Sequence, residues 1–427
     1  MSKPNILYIH SHDTGRYIQP YGYNVPTPRL QQLAEEGVLF RENFCINPTC
    51  SASRASLLTG SYPHENGMTG LAHRGFSLND YGQHIIHCLK KHGYASALSG
   101  TQHIATKQGD KMPYEVIGYD QDMGRDTTKG AIEFLENTPE DPFFLAVGYE
   151  TTHRGFPPLE ESPYDPRYCM PPKPLPDTPK MREDMCRYMA CAKLLDDSIG
   201  QVMDALEKSG KADNTLVICT TDHGIAFPRM KCNLQDSGIE TMLIMRGPGG
   251  FKGGQIVDGM TTHLDIYPTI CDVVGIEEPD WLRGKSLVPY AKDQVEQIHE
   301  ECFFEVNYHA AYEPMRAVRT SRYKYIRRFE ERKSPVLVNC DAGESKTVLL
   351  ENGWQEQKVV SEMLFDLIFD PNECNNLAND EASQTLLTEM RDRLQNWMKK
   401  TDDPLLNGSV PKPEGARINS SDDVGLR

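Results

Sequence analysis

Three segments, in chain order, indicate the fold: FFLAVGY at residues 143–149, MCRYMACAKLLDDSIGQVMDAL at 185–206, and TLVICT at 215–220. The two short apolar segments indicate buried strands, and the longer one places its apolar residues at helical spacing. A strand, a helix and a strand in this order predict an α/β fold. We therefore expect a mainly parallel sheet with helices on both faces.

Other segments extend this pattern. Asn5–Ile9 (NILYI) and Ala95–Ser99 indicate further strands, and Thr27-Pro28 opens a helix that Gly37 closes. After about residue 300 the chain changes to short β-rich runs, followed by a helix predicted over Glu381–Lys400 and a polar surface tail. We predict a catalytic domain over residues 1–300 and, over 301–427, a smaller α+β subdomain with a short antiparallel sheet and one helix.

Composition excludes several classes of partner. The chain has 427 residues, a formal net charge of −16 and 38% apolar residues, which is ordinary for a globular protein. The acidic balance disfavours nucleic acid and anionic membranes, and no apolar run approaches the length of a membrane span. Its twelve cysteines are scattered without a CxxC pair, and the first residues lack a secretory apolar region. We predict a cytoplasmic protein.

The strongest local signal is Cys50-Ser51-Ala52-Ser53-Arg54, which is followed by ASLLTG. A lone cysteine is most often a small buried apolar residue, and a Cys-x-Ala-x-Arg string can recur by chance. This string followed by a short helix that ends in Leu-Thr-Gly, however, resembles the signature of type I sulfatases. In that family the cysteine is oxidised to formylglycine.

The resemblance extends over most of the chain. Three stretches are most similar to the N-sulfoglucosamine sulfohydrolase branch: 50–68 (CSASRASLLTGSYPHENGM), 222–234 (DHGIAFPRMKCNL) and 364–378 (LFDLIFDPNECNNLA). It implies an alkaline phosphatase-like fold and a sulfuric ester hydrolase. Further blocks follow in the order of the family: Asn5–Asp13, Thr27–Phe44, Asp222–Gly224, His263–Thr269 and Ala317–Ile326.

The resemblance implies covalent catalysis at Cys50. A formylglycine aldehyde is hydrated to a geminal diol, so one hydroxyl attacks sulfur and the other later allows the sulfated intermediate to collapse. The predicted position at a helix N-terminus favours a tetrahedral anion, because unpaired backbone N–H groups point at it. We expect Arg54, one turn further on, to reach back towards the diol or a metal-bound oxygen.

A divalent metal is expected where two predicted strands end, at His12-Asp13 and Asp222-His223, together with Cys50. The family usually has calcium there, with two adjacent aspartates at the first place. His12 departs from that pattern. A nitrogen suits manganese or zinc better than calcium. From the sequence, His12 is either a direct ligand or a neighbour of the ligands.

Three further basic residues match positions that contact the sulfate or the leaving group in the family. His103 falls in the family's Gly-Lys-x-His motif, where Thr101 replaces the lysine. His153-Arg154 follows the strand FFLAVGY, and His153 is our candidate for the general acid. Lys231 aligns with a basic residue that contacts sulfate in this branch.

Substrate specificity is expected to lie in loops, where binding residues tend to be placed. The candidates for substrate contacts are Arg154, His64, His73, Arg74 and His309. Loop polar residues without a role are equally common, so both interpretations stay open for each residue.

The expected reaction is hydrolysis of a sulfate ester or sulfamate on a small anionic sulfated substrate, with a sulfated sugar favoured. It requires a formylglycine-generating maturase as a partner. Two alternatives remain: a phosphonate monoester or phosphodiester hydrolase that uses the same site, and a catalytically silent protein that binds sulfated ligands. The sequence leaves the oligomeric state open.

Overall fold

Strands and helices alternate through most of the chain. The structure is a computed structural model, and it describes residues 3–137 and 142–426. The strands are β1 Asn5–Ser11, β2 Val38–Phe40, β3 Asn43–Phe44, β4 Ala95–Gly100, β5 Gln121–Asp122, β6 Phe143–Gly148, β7 Thr215–Thr221, β8 Leu243–Arg246, β9 Gln255–Val257, β10 Thr261–Thr262, β11 Glu301–Tyr308, β12 Tyr312–Thr320, β13 Tyr323–Arg328 and β14 Glu362–Asp366. The helices are α1 Pro28–Glu36, α2 Cys50–Thr59, α3 Pro63–Asn66, α4 Ile85–Lys91, α5 Pro113–Ile117, α6 Thr127–Glu136, α7 Pro179–Lys208, α8 Asp236–Ile239, α9 Ile266–Val274, α10 Val288–Ala291, α11 Glu344–Glu351 and α12 Gln384–Lys400.

The central sheet has eight strands in the order β5-β4-β6-β1-β7-β8-β2-β9. The strands from β5 to β7 pair in parallel, and β2 pairs in parallel with β9. Strand β8 runs antiparallel to both of its neighbours. The predicted mainly parallel sheet is confirmed.

Strand β1 lies in the middle of this sheet and explains why its sequence is apolar at successive positions. All seven of its residues are buried. Ile6 and Tyr8 belong to the apolar cluster on one face, and Leu7 and Ile9 belong to the cluster on the other. A central parallel strand is covered on both faces, so alternate side chains have no solvent side to occupy.

Helix α7 is longer than the sequence pattern predicts, since it begins six residues before Met185. Its N-cap is Thr178, whose hydroxyl accepts a hydrogen bond from the Met181 N–H at 3.4 Å, and Pro179 occupies the first helical position. This start signal lies at the end of the proline-rich stretch Pro171–Pro179, which the sequence allows as either a rigid wall or a connection. Within the described ranges, no helix is both long and apolar enough to cross a membrane.

A second sheet follows, with the antiparallel order β11-β12-β13-β14. Val318 and Tyr325 pack with Trp397 of α12 on one face. Phe304 packs with Phe44 on the other face, next to the larger sheet. The predicted small antiparallel sheet, packed by a helix, is confirmed, although residues 301–427 contain a second helix, α11, that the sequence pattern does not predict. Helix α12 begins at Gln384 because residues 381–383 form a 3-10 turn.

The C-terminal segment is not the simple surface tail that its polar composition predicts. Asp403 is buried and forms a two-point ion pair with Arg316, with N–O distances of 2.6 and 3.0 Å. Val410 is also buried. Arg417 and Asn419 donate backbone hydrogen bonds to residues 74 and 310, so the segment is fixed across the molecule. Composition alone does not report such contacts.

Candidate active site

Four neighbouring strands of the central sheet, β4, β6, β1 and β7, end side by side. The carboxyl ends of parallel strands form the usual ligand site of such sheets. Here they are followed by the predicted site residues, in sheet order: His103 after β4, His153 after β6, His12 and Asp13 after β1, and Asp222 and His223 after β7.

Both carboxylate oxygens of Asp222 contact other residues of this site. Its Oδ1 accepts hydrogen bonds from the backbone N–H groups of Asp13 and His223 at 2.8 and 3.0 Å. Its Oδ2 lies 3.1 Å from both His12 Nδ1 and Arg54 Nη2. Burial alone raises the pKa of the Asp222 carboxyl, but its interactions with His223, Arg54 and His12 outweigh burial and hold that pKa well below its usual range.

Asp13 turns back towards Asp222 through a left-handed backbone conformation, with a φ of 50°. Aspartate tolerates this region better than most residues. Asp13 Oδ1 lies 3.3 Å from His223 Nε2, and Oδ2 lies 3.0 Å from Lys231 Nζ. Oδ1 is buried and makes no hydrogen bond within the described part of the chain.

Cys50 is the first residue of α2, after the extended N-cap residue Thr49. Its Sγ lies 3.4 Å from His223 Nε2. Burial raises the pKa of the Cys50 thiol, so the unmodified residue is a neutral thiol and not a ready thiolate nucleophile. All ten residues of α2 are buried, and this fixes the position of Cys50 against the ends of β1 and β7.

Arg54 lies one turn along the same helix, with 2% of its surface exposed. One guanidinium nitrogen, Nη2, donates to the Ser11 carbonyl at 2.9 Å and to Asp222 at 3.1 Å, and Nη1 contacts His10. Arg54 therefore links the carboxylate of Asp222 to the end of β1 through an ion pair and a hydrogen bond. Sequence reasoning missed His10, which has no recognisable motif of its own.

Lys231 bridges two carboxylates that are distant in sequence. Its Nζ lies 3.0 Å from Asp13 Oδ2 and 2.9 Å from Asp341 Oδ2, and 3.5 Å from His153 Nε2. Although burial opposes the charged form, Asp13 and Asp341 raise the pKa of Lys231 well above its usual value. Sequence reasoning missed Asp341, because it lies in an irregular segment without a motif.

Histidines form the outer layer of the site. The ring of His12 lies 5.2 Å from that of His103 and 5.4 Å from that of His153, measured between centroids. His103 Nε2 lies 3.2 Å from His73 Nδ1, and these two rings are stacked. Burial lowers the pKa of His12 to about 4 and that of His309 to about 3, so both are neutral imidazoles.

The donor atoms fit a metal ion. Asp13, Cys50, Asp222 and His223 each offer one ligand atom within 4.8 Å of the others, and His12, Asp13, Cys50 and His153 form an overlapping group. The unpartnered buried oxygen of Asp13 points to the same conclusion, since buried polar atoms are normally satisfied. Carboxylate oxygen and imidazole nitrogen are ordinary ligands of divalent metals.

Two residues predicted as substrate contacts lie in other surroundings. His64 is in α3, where its backbone N–H donates to Glu305 at 3.0 Å and its ring contacts the same carboxylate. Arg154 forms a two-point ion pair with Asp184 at 2.5 and 2.8 Å, and its guanidinium lies over Phe227. The structure therefore gives both side chains buried partners. In contrast, His73 contacts His103, and His309 is within electrostatic range of Lys231 and Asp341.

Thr101, which replaces the lysine of the family motif, donates a hydrogen bond to Glu150 at 3.0 Å. At the position of the family's lysine, this chain therefore has a neutral hydroxyl that is already engaged in a hydrogen bond. The buried lysine of this site is Lys231, which contacts Asp13.

Two family models match the chain: "Sulfatase" over residues 4–276, and "N-sulphoglucosamine sulphohydrolase, C-terminal" over residues 229–363. The human N-sulphoglucosamine sulphohydrolase is 28% identical, over 94% of this chain and 91% of its own length.

Two solved structures share the fold across nearly the whole chain. One is a complex with its substrate D-glucosamine-2-N,6-O-disulfate; it has a TM-score of 0.70 and 19% identity, and the match covers 94% of this chain and 99% of that one. The other is a phosphonate monoester hydrolase from Silicibacter pomeroyi, with a TM-score of 0.74, 20% identity, and 99% and 100% coverage. The sulfatase model matches well over half of the chain, and the chain therefore belongs to the sulfatase family.

Proposed function

We propose that this protein hydrolyses a sulfate ester or sulfamate on a small sulfated sugar, with a formylglycine derived from Cys50 and one divalent metal. The observation that carries the proposal is the meeting of Cys50 with Asp13, Asp222 and His223 within 4.8 Å, at the N-terminus of a fully buried helix. The family membership supports the same conclusion.

Formylglycine and the metal supply chemistry that the unmodified side chains lack. The hydrated formylglycine supplies a hydroxyl nucleophile, and the metal supplies positive charge that binds and polarises a sulfate group. Asp13, Asp222 and His223 are the residues that would hold the metal, with His12 beside them. Because this donor set contains the imidazole of His223 and the imidazole of His12 lies beside it, we propose manganese or zinc in preference to the calcium usual in the family.

Lys231 and His153 act on the substrate in this proposal. The ammonium of Lys231 is fixed by Asp13 and Asp341, so it offers a preorganised positive charge to the sulfate oxygens. His153 is the more exposed of the two, with 39% of its side chain accessible, and its Nε2 lies on the Lys231 side. It is placed to donate a proton to the leaving oxygen or nitrogen. His103 lies beside His12 and is proposed to bind the sulfate group.

Sulfated glucosamine is the substrate class that we favour. The human relative is named for N-sulphoglucosamine, and a structural neighbour was solved with a disulfated glucosamine as its substrate. We also propose that a maturase of the host converts Cys50, that the protein is cytoplasmic, and that the catalytic domain ends near residue 300.

A panel of esters tests this proposal. The protein is produced together with a formylglycine-generating maturase and assayed on N-sulfated and O-sulfated glucosamine, an aryl sulfate, and the phosphonate monoester of the same aryl group. We expect sulfate release at least about tenfold faster than phosphonate hydrolysis, which corresponds to about 1.4 kcal/mol of transition-state preference. Faster phosphonate hydrolysis would favour the alternative that the Silicibacter neighbour suggests.

The matched controls are two cysteine variants. Cys50→Ala removes the residue that is converted and should abolish turnover. Cys374→Ala removes an exposed cysteine and should leave turnover unchanged. Full activity in Cys50→Ala would exclude the proposed nucleophile.

A further inference from the structure

Two arginines that are more than 300 residues apart in the sequence, Arg74 and Arg417, meet at the edge of the active site. Arg74 ends a 3-10 turn, and Arg417 belongs to the C-terminal segment. The Arg417 N–H donates to the Arg74 carbonyl at 2.9 Å. In return, Arg74 Nη1 donates to the Arg417 carbonyl at 3.2 Å and to Asn419 Oδ1 at 2.9 Å. The two arginines are therefore held side by side by backbone contacts.

The C-terminal segment has little freedom at this point. Gly75 has a φ of 102°, and a Cβ added to it would lie 3.1 Å from Ala416 Cα. Glycine at 75 thus permits a close approach of the backbones. Arg417 therefore lies in a segment whose backbone is fixed against residues 74 and 75.

Neither guanidinium is neutralised. Arg74 and Arg417 donate to carbonyl and amide oxygens, and neither has a carboxylate within 4.0 Å among residues 3–137 and 142–426. In the same chain, Arg154 and Arg316 form two-point ion pairs. Two adjacent like charges are unfavourable, and the protein carries a net charge of −16, so carboxylates to pair with them are abundant. Two neighbouring guanidinium groups without a carboxylate partner are able to bind an anionic ligand.

The arginine pair is separated from the active site by His73, which contacts Arg417 on one side and His103 on the other. Arg417 Nη2 donates to the His73 carbonyl at 2.8 Å, and His73 Nδ1 lies 3.2 Å from His103 Nε2. Burial and the charges of Arg74 and Arg417 lower the pKa of His73, and His153 and Lys231 contribute in the same direction. His73 is thus within electrostatic range of both the arginine pair and the residues proposed to bind the sulfate.

We propose that Arg74 and Arg417 form a subsite for a second anionic group, a carboxylate or a sulfate, on the sugar that carries the scissile sulfate. Guanidinium groups bind both anions through paired N–H donors. The subsite rests on the proposed function, and it means that the C-terminal segment contributes to substrate selection.

The test compares ligands that differ only in the second anion. D-Glucosamine-2-N-sulfate has one anionic group, D-glucosamine-2-N,6-O-disulfate adds a sulfate, and a hexuronate-linked N-sulfated glucosamine adds a carboxylate. Their binding to unconverted protein is measured by calorimetry, which needs no turnover. KM and kcat of the converted protein are measured separately.

We expect the wild-type protein to bind one or both dianionic ligands at least about tenfold more tightly than the monosulfate, the effect of one charged hydrogen bond. The ligand that shows the preference identifies the anion. Arg417→Gln keeps a donor for the His73 carbonyl but removes the charge, so it should erase the preference and raise KM without changing kcat. Arg417→Lys should retain much of it.

Arg332→Gln is the matched control, because Arg332 contacts the same C-terminal segment at Asp422, 2.8 Å away. It should keep the preference. No preference in the wild type, or a preference that survives in Arg417→Gln, would overturn the subsite while sulfatase turnover leaves the proposed function intact. A preference without turnover of any sulfate would overturn the proposed function and leave the subsite standing.

Discussion

The ammonium of Lys231 donates a hydrogen bond to the carboxylate of Asp13 at 3.0 Å, and both side chains are buried. Asp341 contacts the same ammonium from the other side at 2.9 Å. Lys231 therefore balances a carboxylate that is proposed to hold the metal, and it leaves a fixed positive charge at the place where we propose that the sulfate binds.

Replacing this lysine should affect catalysis more than binding. We expect Lys231→Met to lower kcat by about 10²- to 10³-fold, because a preorganised charge at the transition state is lost. Lys231→Arg should recover part of the activity. The measurement is steady-state kinetics on a sulfated glucosamine, with circular dichroism to check folding. Unchanged kcat in Lys231→Met would remove the residue from the proposed mechanism.

Metal removal should lower both activity and stability. A metal that binds only the folded protein stabilises it, so chelation should reduce Tm as well as turnover. Manganese or zinc should restore both better than calcium does.

His12→Asp is the matched variant for this experiment. It recreates the two adjacent aspartates usual in the family and should shift the preference towards calcium, since oxygen ligands suit that ion. A wild-type protein restored only by calcium would contradict the role given to His12.

The contact between His64 and Glu305 should make stability depend on pH. Burial lowers the pKa of His64, but Glu305 outweighs burial and raises it above its ordinary value of 6.5. Burial raises the pKa of Glu305, but His64 and, after it, Arg316 outweigh burial and lower that pKa below 4.5. The His64 contribution is present below pH 6.5 and is lost as the pH rises through the folded-state pKa; the Glu305 contribution is lost as the pH falls through its own.

Thermal unfolding of wild type and His64→Asn across pH 5 to pH 9 tests this expectation. The variant should be less stable by about 1–3 kcal/mol near pH 5 to 6, where the charged hydrogen bond is intact in the wild type. The difference should shrink towards pH 9. A difference that is constant across this range would show that charge is not involved.

Arg154 is expected to matter for stability and not for substrate binding. Only 11% of its side chain and 1% of that of Asp184 are exposed, so Arg154→Ala leaves a buried carboxylate with hydrogen bonds from Ser345 but without its cationic partner. Such losses cost about 3–5 kcal/mol of unfolding free energy. Arg167→Ala is the control, because the Arg167 pair with Asp165 lies in solvent and its loss should leave stability nearly unchanged. A raised KM without a loss of stability would restore Arg154 as a substrate contact.

The sequence predicts the central fold well because its signals are local. The strands around Ile6 and Val217 are apolar at successive positions, and the continuation of the Cys50 motif as a helix is marked by Gly60. Asp341 and Arg417 were missed for the opposite reason. Asp341 meets Lys231, and Arg417 meets Arg74, only when the chain folds, and composition near either residue indicates an ordinary surface segment.

Peptide mass spectrometry across Cys50 tests the central claim most directly, on protein produced with an active formylglycine-generating maturase. Conversion of the thiol to the aldehyde lowers the mass of the peptide by ~18 Da, and we predict this loss at Cys50 alone among the twelve cysteines. A Cys50 peptide that keeps the mass of an unmodified thiol, in the presence of a maturase that converts a control substrate, would contradict the proposed nucleophile.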